Sequence, residues 1–252
     1  MIVEYYRPKD ITETLNLLAN SPIKVVLMGG GTAIDRYSPE PFAIIDLQEV
    51  GLEVIQARGS VFEIGATATL QSLLERREIQ DALRKSIRQE AALNLRQVGT
   101  VAGTLIAADG RSPFTTATYA LDAVLNLMPD EEKKPLGSVL PLQRKDLLKR
   151  LVISITIPLN VKLAFEYVAR TPADQPIVCA GVAIWPSGRT RVVLGGFGEA
   201  PVLAMDGTNS AGAEAAAGDA YSHAGDQWAS ALYRQEVAKV LVNRCLANLE
   251  PD

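Results

Sequence analysis

Two stretches of this chain combine glycines and hydroxyl residues in a way suited to gripping an anion. The first is Met28-Gly29-Gly30-Gly31-Thr32-Ala33, which follows the apolar run Val25-Val26-Leu27 and leads into Ile34-Asp35. The second, about seventy residues further on, is Gly99-Thr100-Val101-Ala102-Gly103-Thr104. Residues without Cβ let the backbone turn sharply and let its N–H groups come close to a ligand. Clustered amides of this kind form a concave site for phosphate. Each stretch alone reads equally well as a tight turn between elements. Two of them facing each other across a cleft would grip a pyrophosphate from both sides. Neither fits G-x-G-x-x-G and neither has the lysine of a P-loop, which disfavours an ordinary Rossmann or kinase-type nucleotide site.

Other chemistries are poorly supplied. The single histidine, His223, lies in a polar loop context, so a Ser-His-Asp or Cys-His centre is improbable. Cys179 and Cys245 are far apart in apolar contexts and read as buried, reduced thiols, consistent with a cytoplasmic protein. Two cysteines cannot supply the four ligands of an iron–sulfur cluster or a structural zinc site. No catalytic side chain and no metal ligand stands out. The net charge of −4 over 252 residues argues against nucleic-acid binding, and no apolar stretch approaches the length of a membrane span. A bound phosphate would therefore depend on local amides, not on a general positive field.

The elements around these stretches follow from periodicity and turn residues. Residues 2–6 read as a strand, Asp10 or Thr12 caps a helix to about Ala19, and Lys24–Met28 is the strand before the triple glycine. With Phe42–Leu47 as a third strand, after a loop at Pro39-Glu40-Pro41, this is a small α/β unit with parallel pairing. Leu52–Ala57 and Val61–Ile64 form a hairpin about Arg58-Gly59-Ser60. Thr67 or Thr69 caps a helix through about Glu75, and a further helix runs from Ile79 to about Leu93. Asp109-Gly110-Arg111 is a turn, Thr115–Ala120 a helix, and Pro129–Pro135 a solvated charged loop. Gln143–Arg150 reads as a short helix and Leu151–Ile157 as a strand. Three strands at 162–170, 177–184 and 190–197 follow, then a Gly/Ala/Ser-rich stretch over 205–227. Ala229–Leu249 is an amphipathic helix with Leu232, Val237, Val240, Leu241, Cys245 and Leu249 at helical spacing.

Taken together, the two glycine stretches and their order resemble the FAD-binding (medium) subunit of the molybdenum hydroxylases, the carbon monoxide dehydrogenase and xanthine dehydrogenase group. Met28-Gly29-Gly30-Gly31-Thr32-Ala33 is similar to that family's Ala-Gly-Gly-Thr/His-Asp/Ser motif. Leu95-Arg96-Gln97-Val98 through Thr104 is similar to its Ile-Arg-Asn-x-Gly/Ala-Thr-Ile-Gly-Gly-Asn motif. Smaller echoes are Ile45-Asp46-Leu47, Ile64-Gly65-Ala66-Thr67, Ala120-Leu121-Asp122-Ala123, Val168–Asp174 and the tail from Tyr233-Arg234 to Arg244.

The resemblance implies an α+β flavoprotein. Its FAD-binding domain would cover 1–160 in two parts, a small α/β unit over about 1–57 and a mixed or antiparallel sheet with helices over 58–160. A smaller three-stranded antiparallel sheet with helices would follow over 161–252. By position, the FAD pyrophosphate would fall to Met28, Gly29, Gly30, Gly31, Thr32 and Ala33, and to Gly99, Thr100, Ala102, Gly103 and Thr104. Asp109 would lie near the adenosine–ribityl part. Electrons would come from a 2Fe–2S small subunit, fed by a molybdopterin-binding large subunit, and pass to NAD or a quinone. Ala102 and Thr104 depart from the motif's glycine and asparagine, and an alanine there is free of strain only at negative φ. A relative that keeps the fold as a binding or assembly module is the alternative reading.

Overall fold

The run ahead of the triple glycine forms the strand its apolar residues predict. The computed structural model describes residues 1–34, 40–140, 147 and 149–249. Asp35, Pro39 and most of the helix expected over 143–150 lie outside the described residues. The chain opens with β1 (Ile2–Tyr6), α1 (Ile11–Asn20), β2 (Lys24–Met28), β3 (Phe42–Asp46), β4 (Ile55–Arg58) and β5 (Val61–Gly65). Helices α2 (Leu70–Leu74), α3 (Asp81–Glu90), α4 (Leu93–Val98), α5 (Val101–Ala107) and α6 (Pro113–Ala120) follow. Next come β6 (Val124–Met128), β7 (Glu132–Pro135), α7 (Leu136–Val139), β8 (Leu151–Pro158) and β9 (Lys162–Val168). The chain ends with β10 (Val178–Ile184), β11 (Thr190–Gly195), β12 (Val202–Gly207), α8 (Ala213–Ala220) and α9 (Ala231–Leu249).

Packing groups these elements into two units that are each discontinuous in sequence. The first comprises Met1–Arg76, Leu93–Ala107 and Val124–Thr156, the second Arg77–Ala92, Ala108–Ala123 and Ile157–Asp252. The second unit thus draws on segments well ahead of residue 160, because α3 and α6 pack on β9 and β10.

In the first unit, β1, β3 and β2 form a parallel sheet in that order. The middle strand Phe42-Ala43-Ile44-Ile45-Asp46 is buried along its whole length, as a strand paired on both edges requires. Asp10 caps α1 by accepting from Glu13 N–H, and Thr69 caps α2 by accepting from Ser72 N–H. A five-stranded sheet has the order β4-β5-β8-β6-β7. Its last strand corrects the expectation of a solvated loop over Pro129–Pro135: Glu132–Pro135 pairs antiparallel with β6. Among the described residues only one edge of β7 is paired, so its charged residues and Pro135 are tolerated there.

In the second unit, four antiparallel strands run β12-β11-β10-β9, one more than the three expected. The added strand, Val202–Gly207, pairs with β11 across a register shift at Val192/Val193. Helices α8 and α9 cover one face through Ala213, Ala217, Ala238, Leu241, Val242 and Cys245. The buried face of α9 is offset from the expected one, since Leu232 and Val240 are exposed while Arg234 is fully buried. Arg234 is accommodated because Asp226 binds it bidentately, at 2.9 Å to each oxygen, and the carbonyls of Ile177, Ala224 and Ala229 accept its remaining protons.

One buried carboxylate fixes the strand ends in the first unit. Asp46 accepts from the Tyr5 hydroxyl, from Arg7 Nε at 2.9 Å and Nη2 at 2.7 Å, and from Gln48 N–H at 3.0 Å. Desolvation opposes its charge, but these hydrogen bonds outweigh it and hold the carboxyl below its ordinary value of 3.8. A depressed carboxyl pKa stabilises the fold above that ordinary value, and the contribution is lost as pH falls through the folded-state value. Because Arg7 is partly exposed, we expect Asp46→Asn to cost about 1–2 kcal/mol at pH 7, at the low end for a charged hydrogen bond. Urea unfolding at pH 7 and pH 3 checks this, with a smaller difference between the two proteins at pH 3.

Candidate functional site

The first glycine stretch leaves β2 at the carboxyl end of the parallel sheet, the end where open α/β sheets take ligands. Met28 is in register with Asp46, and the Met28 carbonyl accepts from Leu47 N–H at 2.9 Å, so the start of the loop is fixed to β3. Beyond it, Gly31 has φ +71°, a left-handed conformation that glycine adopts without Cβ strain. Gly31, Thr32 and Ala33 are exposed. Among the described residues, no backbone carbonyl accepts from the N–H groups of Gly30, Gly31, Thr32 or Ala33.

The second stretch is a break between two helices. Gly99 N–H closes α4 on the Leu95 carbonyl at 2.6 Å, and α5 starts at Val101. The break is held against residues 66–70 by three backbone hydrogen bonds: Leu70 N–H to Gly99 O at 2.9 Å, Val101 N–H to Ala68 O at 2.8 Å and Ala102 N–H to Ala66 O at 3.2 Å. Thr100 acts as the N-cap of α5, its Oγ1 accepting from Gly103 N–H at 3.2 Å. Thr104 Oγ1 donates to the Thr100 carbonyl at 2.9 Å. Ala102 is a helical, buried residue outside the positive-φ positions, so alanine meets no backbone strain there.

The two stretches touch, backbone to backbone. A Cβ on Gly30 would stand 1.7 Å from the carbonyl oxygen of Val98, and one on Gly29 would stand 2.4 Å from Thr100 Oγ1. Gly99 is buried beside them, with Thr32 Oγ1 3.9 Å from where its Cβ would be. Two of the three consecutive glycines are therefore dictated by loop-to-loop approach, a contact that no reading of either stretch alone reveals. Asp109 belongs to the second unit, where its Oδ1 accepts from Arg111 N–H at 2.8 Å and organises its own turn. The neighbouring Gly110, read from the sequence only as part of a turn, is locked to Gly198 O and Gly196 N–H by backbone bonds of 3.0 and 2.7 Å.

A dinucleotide pyrophosphate is an anion that needs several donors and little steric cover. The amides from Gly30 to Ala33, from which no backbone carbonyl among the described residues accepts, the exposed Thr32 beside them and the exposed, Cβ-free surface at Gly103 fit that requirement. Among the described residues there is no group of three or more His, Cys, Asp or Glu placed to hold a metal ion, and no helix is long and apolar enough to cross a membrane.

Residues 1–160 match the family described as the FAD binding domain in molybdopterin dehydrogenase. The chain is 25% identical over 198 residues to the uncharacterized protein YgfM of Escherichia coli (strain K12), covering 78% of this chain and 75% of that protein. It is 30% identical over 137 residues to the nicotinate dehydrogenase FAD-subunit of Eubacterium barkeri, covering 48% of this chain and 46% of the relative. Its fold is shared with a chain of carbon monoxide dehydrogenase from Hydrogenophaga pseudoflava, with TM-score 0.82, 21% identity and coverage of 98% and 96%. A chain of quinoline 2-oxidoreductase from Pseudomonas putida 86 has the same fold, with TM-score 0.77, 20% identity and coverage of 97% and 95%. The chain belongs to the molybdopterin dehydrogenase FAD-binding family: it is an oxidoreductase subunit of the molybdenum hydroxylase group and its cofactor is FAD.

Because the carbonyl facing Gly30 is backbone and cannot rotate away, Gly30→Ala should destabilise the protein strongly even without cofactor. Gly31→Ala should cost only about 1–2 kcal/mol, the ordinary penalty of a left-handed residue. Urea unfolding of the two variants, each freed of flavin, distinguishes the two reasons for being glycine.

Proposed function

From that membership we propose that the chain carries electrons within a molybdopterin-dependent dehydrogenase, receiving them from an iron–sulfur partner and passing them to an external acceptor. Bound FAD supplies reversible redox chemistry that no side chain of the protein offers. The protein's own part is to bind and orient. The amides of Gly30, Gly31, Thr32 and Ala33 hold the pyrophosphate, and Gly103 leaves it room. The single observation that supports this reading is the row of amides at Gly30–Ala33, from which no backbone carbonyl among the described residues accepts, inside the region matched to the FAD-binding family.

A cytoplasmic complex with a molybdopterin-binding large subunit and a 2Fe–2S small subunit completes the reading. This chain offers two cysteines, both buried, and so holds no cluster of its own. NAD or a quinone is the acceptor class. Neither Ala102 nor Thr104 places strain on the loop, which answers one ground for reading the chain as an assembly module without flavin and leaves the other, a short stretch between Asp122 and Pro158, standing.

The test is anaerobic. The purified chain should bind FAD one to one, and Gly103→Val should weaken binding about tenfold or more, because its β-branched side chain both covers the exposed turn of α5 and crowds Thr100 Oγ1, 2.7 Å from where a Cβ would stand. With the iron–sulfur and molybdopterin partners and their reducing substrate added, the flavin absorbance should bleach, and it should recover on adding the acceptor. Flavin that binds but is reduced by no partner would leave the assembly-module reading as the better one.

A further inference from the structure

Thr100 occupies a position that binding by simple analogy does not explain. It is 6% exposed, too buried to offer its side chain to a ligand lying over the loops. Its Oγ1 accepts from Gly103 N–H at 3.2 Å, and its carbonyl accepts from both Thr104 N–H and Thr104 Oγ1 at 2.9 Å. On its other side it abuts the first loop. A Cβ on Gly29 would meet Thr100 Oγ1 at 2.4 Å, Cγ2 at 2.9 Å and Cβ at 3.2 Å. The residue is also bridged to Thr69, the cap of α2. One residue thus touches the first loop and caps the helix of the second with its side chain, while its backbone is bridged to the segment that holds the second in place.

We propose that Thr100 is a positioning residue: wedged between Gly29 and Gly103, it assembles the two glycine loops into one rigid clamp before any ligand arrives, and contact with the pyrophosphate falls to the amides of Gly30–Ala33. This rests on the reading that these loops hold a pyrophosphate, and it divides the labour among them. Preorganised donors bind an anion without the entropic cost of ordering the loop, so the effect of Thr100 on affinity passes through loop order.

The test uses the full-length chain with flavin removed, Gly29→Ala, Thr100→Ala and the double variant, read by thermal unfolding and by hydrogen exchange across 29–33. Gly29→Ala should lower Tm by about 4 °C or more. Thr100→Ala takes away two of the three atoms a Cβ at position 29 would strike, so the double variant should melt above the value expected from adding the single effects. If Gly29→Ala alone fails to fold, recovery of folded protein in the double variant carries the same meaning.

Flavin affinity of the threonine variants supplies the second arm. Thr100→Val keeps the shape and removes the acceptor for Gly103 N–H; its apo protein should exchange faster across both loops and bind FAD about tenfold more weakly. Thr100→Ser keeps the hydroxyl and should bind within about threefold of the parent. Strict additivity in the apo protein would overturn the proposal. So would a Thr100→Val variant that loses affinity while its apo exchange is unchanged, since that is the signature of direct ligand contact. Coupling in the apo protein together with a parent chain whose loop variants leave FAD affinity untouched would support the positioning role and overturn the pyrophosphate reading instead.

Discussion

The structure of the site depends on one close approach: the backbone of Gly30 lies against the carbonyl of Val98, with no room for even a single methyl group between them. Two stretches about seventy residues apart in sequence become one surface at that point. The contact is possible only because each partner is anchored independently. The first loop starts from a strand whose last carbonyl is bonded to the chain after β3, and the second is tied by three backbone bonds to residues 66–70. Neither anchor uses the N–H groups of Gly30–Ala33, from which no backbone carbonyl among the described residues accepts, so the loops are joined by a different set of polar groups.

That separation matters in a chain of net charge −4. A protein with a negative overall field gains nothing at long range when it draws in an anion, and any attraction must come from dipoles at contact distance. Backbone amides meet the need without adding mobile cationic side chains, and they cost little reorganisation when the loop is already rigid. The exposure of Gly31, Thr32 and Ala33 is consistent with the pyrophosphate role proposed for them, since buried amides without acceptors would be costly.

The sequence was most legible where local chemistry decides structure. The parallel unit over residues 2–47 announced itself through short apolar runs punctuated by a helix cap and the glycines, and its strands fall where those signals put them. The caps at Asp10 and Thr69 were among the residues named for the role. Legibility failed where pairing partners decide. Glu132–Pro135 is charged because it is an edge, and Val202–Gly207 is a strand because β11 offers it a free edge. The buried face of α9 turns on Arg234, whose burial depends on Asp226 and on three carbonyls remote from helical periodicity. The glycine stretches were found by composition, but the reason for Gly29 and Gly30 is a tertiary contact and could not be read from either stretch. The placement of Asp109 in a different packing unit from the loops was equally hidden, because the units interleave along the chain.

The departures at positions 102 and 104 show how a motif mismatch should be weighed. A glycine replaced by alanine costs little in a helix and much at positive φ, and only the backbone distinguishes the two cases. Ala102 lies in α5 with its N–H bonded to Ala66 O, where alanine is favoured over glycine by about 1 kcal/mol. Thr104 spends its hydroxyl on the Thr100 carbonyl one turn back, so that hydroxyl is satisfied within the helix. The two residues flank the exposed Gly103. The mismatch at 102 is thus neutral for the backbone, and it says nothing against the pyrophosphate reading proposed above.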